Sequence, residues 1–250
     1  MLVLGIDSAT PVSTVALADS EKLVAEIFYN TQKTHSERLM PMIDNMLKEV
    51  HLQITDINGF AVAIGPGSFT GLRIGLATIK GLAHVLQKPL VGIPTLDGLA
   101  YNVQGVSGII CPILNARKNE VYTALYNGKT MDLLTEYLAV SPEKLLEIVR
   151  ETMGETYEDV IMLGDGVPLF KEFFMEKLGE RLKFVSAASN LPRAAQIAQL
   201  GVEKLKNGKE DSLMNLKPYY IRKSEAEVRI QKKDAGVKNS ECTGNLFSKN

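Results

Sequence analysis

The chain has 250 residues, 45% hydrophobic and 23% charged, with a formal net charge of −1 and a pI near 6.3. These values fit a folded protein of one large or two modest domains. They lack the basic excess of a chain whose main task is to bind nucleic acid, and no stretch approaches the ~20 apolar residues that cross a bilayer.

Residues 2–6 read as a short apolar strand, and DSATP supplies a turn. Residues 12–18 and 23–29 predict two further strands, arranged as an antiparallel meander. Leu39, Met42, Ile43, Met46, Leu47 and Val50 recur at three- and four-residue steps, which predicts a helix. Thr34 and Glu37 suit a capping box at its start. Pro41 predicts a late start or a kink, because it lacks an N–H and crowds the preceding turn. Residues 59–64 form the next strand, followed by the run GPGSFTGLRIG at 65–75. A second helix is predicted over 70–87, a strand over 89–93 and a third helix over 95–104.

The order then repeats. Strands are predicted over 109–114, 120–126 and 133–140. Ser141, Pro142 and Glu143 open a helix in the favoured order of cap, proline and acid, reaching about residue 151. A strand over 160–163 and helices over 168–178 and 192–206 complete the pattern. A meander followed by helix–strand–helix units thus occurs twice, which predicts two related α/β lobes. Residues 1–105 make the first and 106–231 the second, whose last helix or segment is free to pack back on the first lobe. Residues 232–250 have few apolar positions and no period, and are expected to be a mobile tail. Cys111 lies in an apolar run and Cys242 in that tail; neither has metal spacing, so a reducing cytoplasmic setting is expected. The opening MLVLGIDS does not suit a secretion signal.

Two stretches are candidates for chemistry. Leu72 and Arg73 follow Gly71 where a P-loop needs lysine and a hydroxyl residue, so the glycine run is not a standard P-loop. Amides at a helix start can still hold an anion, and glycine also permits close backbone approach. Gly67, Gly71 and Gly75 lie four apart, near one helix face, which favours packing. The second candidate is Asp7-Ser8-Ala9-Thr10. An acid that ends a first strand before a hydroxyl-rich turn suits magnesium and nucleotide phosphates; it also suits an ordinary turn. The matching second-lobe hairpin carries neutral Asn115, a poorer magnesium partner. His35, His51 and His84 lack the spacing of a metal pair and read as surface or capping residues. No G-x-S-x-G nucleophile motif is present.

The segments LGIDSATPVSTVAL, THSERLMPMIDNML, AIGPGSFTGLRIGLATIKGLA, PLVGIPTLDGLAYNV, ILNARKNEVYTALY and LKPYYIRKSEAE run in this order from Met1 to about Glu227. Together they resemble the bacterial TsaB (YeaZ) family, partners in making threonylcarbamoyladenosine in tRNA. The resemblance implies an α/β, duplicated two-lobe actin/hexokinase/Hsp70-like fold. The family's catalytic paralogue, TsaD, holds a metal with an H-x-x-x-H pair; Thr95 and Leu99 stand at those places here. A hydroxyl and an isobutyl group cannot replace imidazoles on a transition metal. The resemblance therefore implies a non-catalytic subunit that needs no cofactor, and it leaves room for weak ATP or ADP binding at Asp7, Ser8 and Thr10. It further implies that the first two helices pair with the same helices of TsaD. The residues expected at that contact are Leu39, Met42, Ile43 and Met46 of the first helix, and Gly67, Gly71, Leu72, Gly75 and Ile79 of the second. The complex would admit the ATPase TsaE, and the same surface could close a homodimer without TsaD. Contact with tRNA would be indirect or weak, and no membrane is involved. Two activities compete with this reading: an ATP-dependent small-molecule kinase, which needs a second-lobe acid beside Asp7, and a metallopeptidase, opposed by the missing histidine pair.

Overall fold

Both faces of the first strand are apolar, which requires a packed layer on each side of its sheet. In the computed structural model, which describes residues 1–31 and 34–222, β1 (Val3–Asp7) sends Leu4 and Ile6 into one core and Val3 into the opposite one. The expected tail, residues 232–250 with Cys242, lies outside the described residues. β2 (Ser13–Ala18) and β3 (Leu23–Tyr29) continue from β1 as antiparallel neighbours. β4 (Gly59–Gly65) and β5 (Leu90–Pro94) add on in parallel, giving the order β3-β2-β1-β4-β5. One face is covered by α1 (His35–Glu49) and α2 (Phe69–Leu86). Leu39, Met42, Ile43 and Met46 pack there with Leu76, Ile79, Phe60 and Val62.

Two expectations for α1 need correction. The helix starts at His35 and continues through Pro41, so the proline does not delay it. The donor missing at Pro41 would have bonded the carbonyl of Glu37, an exposed residue whose oxygen water can satisfy. The capping box does not form: Thr34 makes no side-chain cap, and its hydroxyl lies 3.2 Å from Ser36 Oγ.

The second sheet comprises β6 (Ile109–Arg117), β7 (Glu120–Thr123), β8 (Tyr126–Asn127), β9 (Leu138–Val140), β10 (Val160–Leu163) and β11 (Leu182–Phe184). Its main order is β11-β10-β6-β7-β9, with β8 paired to β6. Taken from the other edge, this is again a meander with two parallel strands added, the plan of the first sheet. The strands expected over 120–126 and 133–140 are shorter. The chain leaves β7 after Thr123, and Asn127 Oδ1 accepts from the amides of Lys129 (2.9 Å) and Thr130 (3.2 Å), which closes a polar turn. α4 (Pro142–Met153), capped by Ser141, and α5 (Val167–Leu178) cover one face of this sheet.

The remaining face of each sheet is covered by a helix from the other half of the chain. α3 (Thr95–Ala100) buries Leu96 and Leu99 against Ile110, Leu114 and Leu163 of the second sheet. α6 (Ala194–Lys206) buries Ile197 and Val202 against Val3, Ala61 and Val91 of the first. Polar ties reinforce both exchanges. Asp97 Oδ1 on α3 accepts hydrogen bonds from Tyr126 Oη (2.8 Å) and Tyr137 Oη (2.7 Å). Glu26 on β3 receives Arg193 and the Ala195 amide (3.1 Å) at the start of α6. Among the described residues, no helix is long and apolar enough to cross a membrane.

Candidate functional site

β1 ends at Asp7, and the turn that follows carries the start of α2 on its back. Ser68 caps α2, its Oγ accepting from the Gly71 amide at 3.3 Å. The Ser68 amide donates to the Ala9 carbonyl at 2.6 Å, and Ser8 Oγ donates to the Gly71 carbonyl at 2.9 Å. A Cβ at Gly71 would collide with the Ser8 carbonyl, and one at Gly75 with the Ser8 hydroxyl. The glycine run is therefore required for close approach to the Asp7 turn within this chain. The two stretches singled out in the sequence form one junction. His35, the first residue of α1, closes it from another side, with Nδ1 2.7 Å from Ser13 Oγ. Burial lowers the His35 pKa, opposed by a backbone hydrogen bond at Thr10.

Asp7, Ser8 and Thr10 are all buried. Asp7 Oδ1 accepts from the Ala9 amide at 2.8 Å, and burial pushes its carboxyl up from the ordinary 3.8 to about 7. In the second lobe, Asn115 Oδ1 accepts from the Arg117 amide at 2.8 Å. The Asn115 amide donates to Asp165 Oδ1 at 2.9 Å. Asp165 is the second-lobe acid that sequence reasoning did not single out; its signal was an acid between two glycines just after a strand, Gly164-Asp165-Gly166. Burial raises its pKa as well. A magnesium-bound nucleotide needs ionised carboxylates and open turn amides; this pair of hairpins offers a buried acid and an amide already engaged. Thr95 Oγ1 accepts from the Gly65 amide at 3.1 Å, and Leu99 lies in the core beneath the second sheet. Among the described residues, no three His, Cys, Asp or Glu side chains are grouped to hold a metal.

The residues expected to face a partner are placed elsewhere. Leu39, Met42, Ile43, Met46, Leu72 and Ile79 are buried within the chain, Met42 at 2% exposure. Gly67, Gly71 and Gly75 lie against Ala9 and Ser8. The physical reason is simple: one helical stripe faces one way, and this stripe faces the sheet. The outer side of α1 and α2 instead forms an apolar groove of about 410 Å³, lined by Met40, Ile54, Thr78, Gly81, Leu82 and Val85 among others. Met40 is 49% and Val85 78% exposed. Apart from the helix's own neighbouring backbone, no atom of the described residues lies within 4 Å of the place a Gly81 Cβ would take, so no packing contact among them requires glycine there. The available signal was a second stripe, Ala77, Gly81 and Val85 at four-residue steps, overshadowed by the stronger core stripe.

Two sheets of one strand order, each completed by a helix from the other half, define the duplicated actin/hexokinase/Hsp70-like class. The activator of the 2-hydroxyisocaproyl-CoA dehydratase from Clostridium difficile, solved with bound ADPNP, shares this fold at a TM-score of 0.52 and 11% identity, over 88% of this chain and 100% of that one. YeaZ from Pseudomonas aeruginosa is more similar, with a TM-score of 0.73 and 26% identity over 88% of this chain and 99% of that one. Residues 22–230 match the family model described as "TsaD: tRNA N6-adenosine threonylcarbamoyltransferase". The tRNA threonylcarbamoyladenosine biosynthesis protein TsaB of Bacillus subtilis (strain 168) is 33% identical over 229 residues, covering 92% of this chain and 97% of that protein. The chain belongs to the TsaB family, whose members serve the synthesis of threonylcarbamoyladenosine in tRNA.

The junction generates two expectations. Gly71→Ala should lower unfolding free energy by about 3 kcal/mol through overpacking, whereas Gly81→Ala should be neutral or gain up to about 1 kcal/mol from helix propensity; urea denaturation of both variants checks this. Asp7 should make stability depend on pH. Its folded pKa is raised to about 7, so its contribution is full below the unfolded pKa and lost as pH rises through 7. Asp7→Asn retains an acceptor for the Ala9 amide. It should exceed the wild type by up to about 4 kcal/mol at pH 8 and differ little at pH 4, as read by denaturation at the two pH values.

Proposed function

We propose that this chain is the non-catalytic partner subunit of threonylcarbamoyl transfer. It binds the catalytic paralogue TsaD through the outer side of α1 and α2, and the pair admits the ATPase TsaE. The observation that carries this reading is the exposed apolar groove around Gly81 and Val85. Contiguous exposed apolar surface marks interaction sites. A glycine with open space above it lets a second helix come close, and the flexible Met40 side chain adapts to a facing surface. Absence of catalysis by the chain alone is supported by Thr95 and Leu99, both engaged in the protein's own packing. Independence from a nucleotide is supported by the burial of Asp7, Ser8 and Thr10. The net charge of −1 favours a secondary role in tRNA contact, and the reading places the chain in the cytoplasm beside its tRNA substrate. Without TsaD, the same face closes a symmetric homodimer.

Calorimetric titration with TsaD tests this. Val85→Asp and Gly81→Leu should each weaken binding at least tenfold, about 1.4 kcal/mol, with melting unchanged. Unchanged affinity in both variants, or transfer to tRNA by this chain without TsaD, would overturn the proposal.

A further inference from the structure

β5 is an edge strand of the first sheet, with β4 as its neighbour on the inner side. A bare strand edge offers unpaired amides and carbonyls to any strand that comes alongside. This edge is closed by other means. The Asp211 amide donates to the Leu90 carbonyl at 2.9 Å, and Asp211 Oδ2 accepts from the Gly92 amide at 2.8 Å. Lys204 Nζ, near the end of α6, donates to the Gly92 carbonyl at 3.1 Å. Both main-chain groups of Gly92 are therefore held by side chains, where a sheet would use another backbone.

The segment that follows Asp211 is locally folded. The Leu216 amide donates to the Ser212 carbonyl at 2.9 Å, which closes one turn. A turn cannot extend the ladder as a strand would. Leu216 is 8% exposed and belongs to the core beneath α1 and α2. A Cβ at Gly92 would collide with the Leu216 and Ile64 side chains, so glycine there admits the turn. Further on, the Tyr219 amide donates to the Ile64 carbonyl at 2.7 Å, and the Tyr219 ring meets Tyr137 edge-on with centroids 5.6 Å apart. Asp211 is exposed and Lys204 half-buried, so water competes for the bonds that close the edge.

We propose that residues 211–219 form a releasable cover over the β5 edge, fastened by Asp211 and Lys204. When the cover lifts, the edge pairs with the β5 edge of a second copy of the chain. Strands related by a two-fold axis run antiparallel, and an axis beside Gly92 lets each Gly92 amide meet the other Gly92 carbonyl. The self-complementary groups are thus the ones that Asp211 and Lys204 now hold. None of residues 211–219 lines the groove on α1 and α2, so this inference stands apart from the TsaD reading.

The test uses the full chain carrying Val85→Asp, which disfavours association through that groove. Asp211→Ala and Lys204→Met are added together. Hydrogen exchange of the Gly92 amide is followed by NMR, and mass by light scattering, over a range of protein concentrations. In dilute solution the added changes should speed Gly92 exchange roughly tenfold or more, as a local opening does. At high concentration a dimer should form and slow Gly92 exchange again. Unchanged exchange, a monomer at every concentration, or association that leaves Gly92 exchange fast overturns the proposal. Should the combined variant fail to fold, Asp211→Ala alone is decided by the same readings.

Discussion

The Ser8 carbonyl occupies the space that any side chain at position 71 would need. Much of the first lobe depends on that contact. It sets the start of α2 on the turn between β1 and β2, where the Ser8 hydroxyl donates to the Gly71 carbonyl and the Ser68 amide to the Ala9 carbonyl. His35 ties the start of α1 to the same turn through Ser13. With both helices anchored at one end, their apolar stripes are committed to the sheet. Leu39, Met42, Met46 and Ile79 are then core residues, and the opposite side of the pair carries the exposed apolar groove.

The exchanged helices extend the same constraint to the second lobe. α3 completes a core built on β6 and β10, and α6 completes one built on β1 and β4. Neither sheet closes both its faces with its own half of the chain, so burial in one lobe depends on the other. Asp97, accepting from two tyrosine hydroxyls, and Glu26, receiving Arg193, place polar anchors at these contacts. Actin/hexokinase-like proteins that use a nucleotide need open, ionised groups at their hairpins. Here Asp7 and Asp165 are held by backbone amides and raised by burial.

Much of the architecture was legible from the residues. The α1 stripe has period 3.6 because one face is buried, and β1 to β3 show the β-branched runs of a meander. The repeat of the meander was visible in element order, while the fold class came from family resemblance. What failed were matters of direction and tertiary context. A stripe gives a buried face but does not say what buries it, so Met42 and Ile79 read equally well as partner contacts. Spacing of glycines 67, 71 and 75 indicated a close approach, yet the object approached, the Ser8 turn, lies some sixty residues away in the chain (63 between Ser8 and Gly71). Pro41 did not delay the start of α1, which runs through it; the donor it lacks would have faced the carbonyl of an exposed residue, Glu37. The acid Asp165 went unseen because it sits outside the hairpin whose amide it binds.

Three methionines on α1 give the most direct test of the proposal that the outer side of the helix pair meets TsaD. Met40 is half exposed, whereas Met42 and Met46 are buried on the sheet side. Mild peroxide oxidation, read by peptide mass spectrometry with and without TsaD, compares them within one helix. The account predicts rapid oxidation of Met40 in the free chain, protection of Met40 in the complex, and slow oxidation of Met42 and Met46 in both. Equal oxidation of Met40 with and without TsaD, or ready oxidation of Met42 in the free chain, would contradict it.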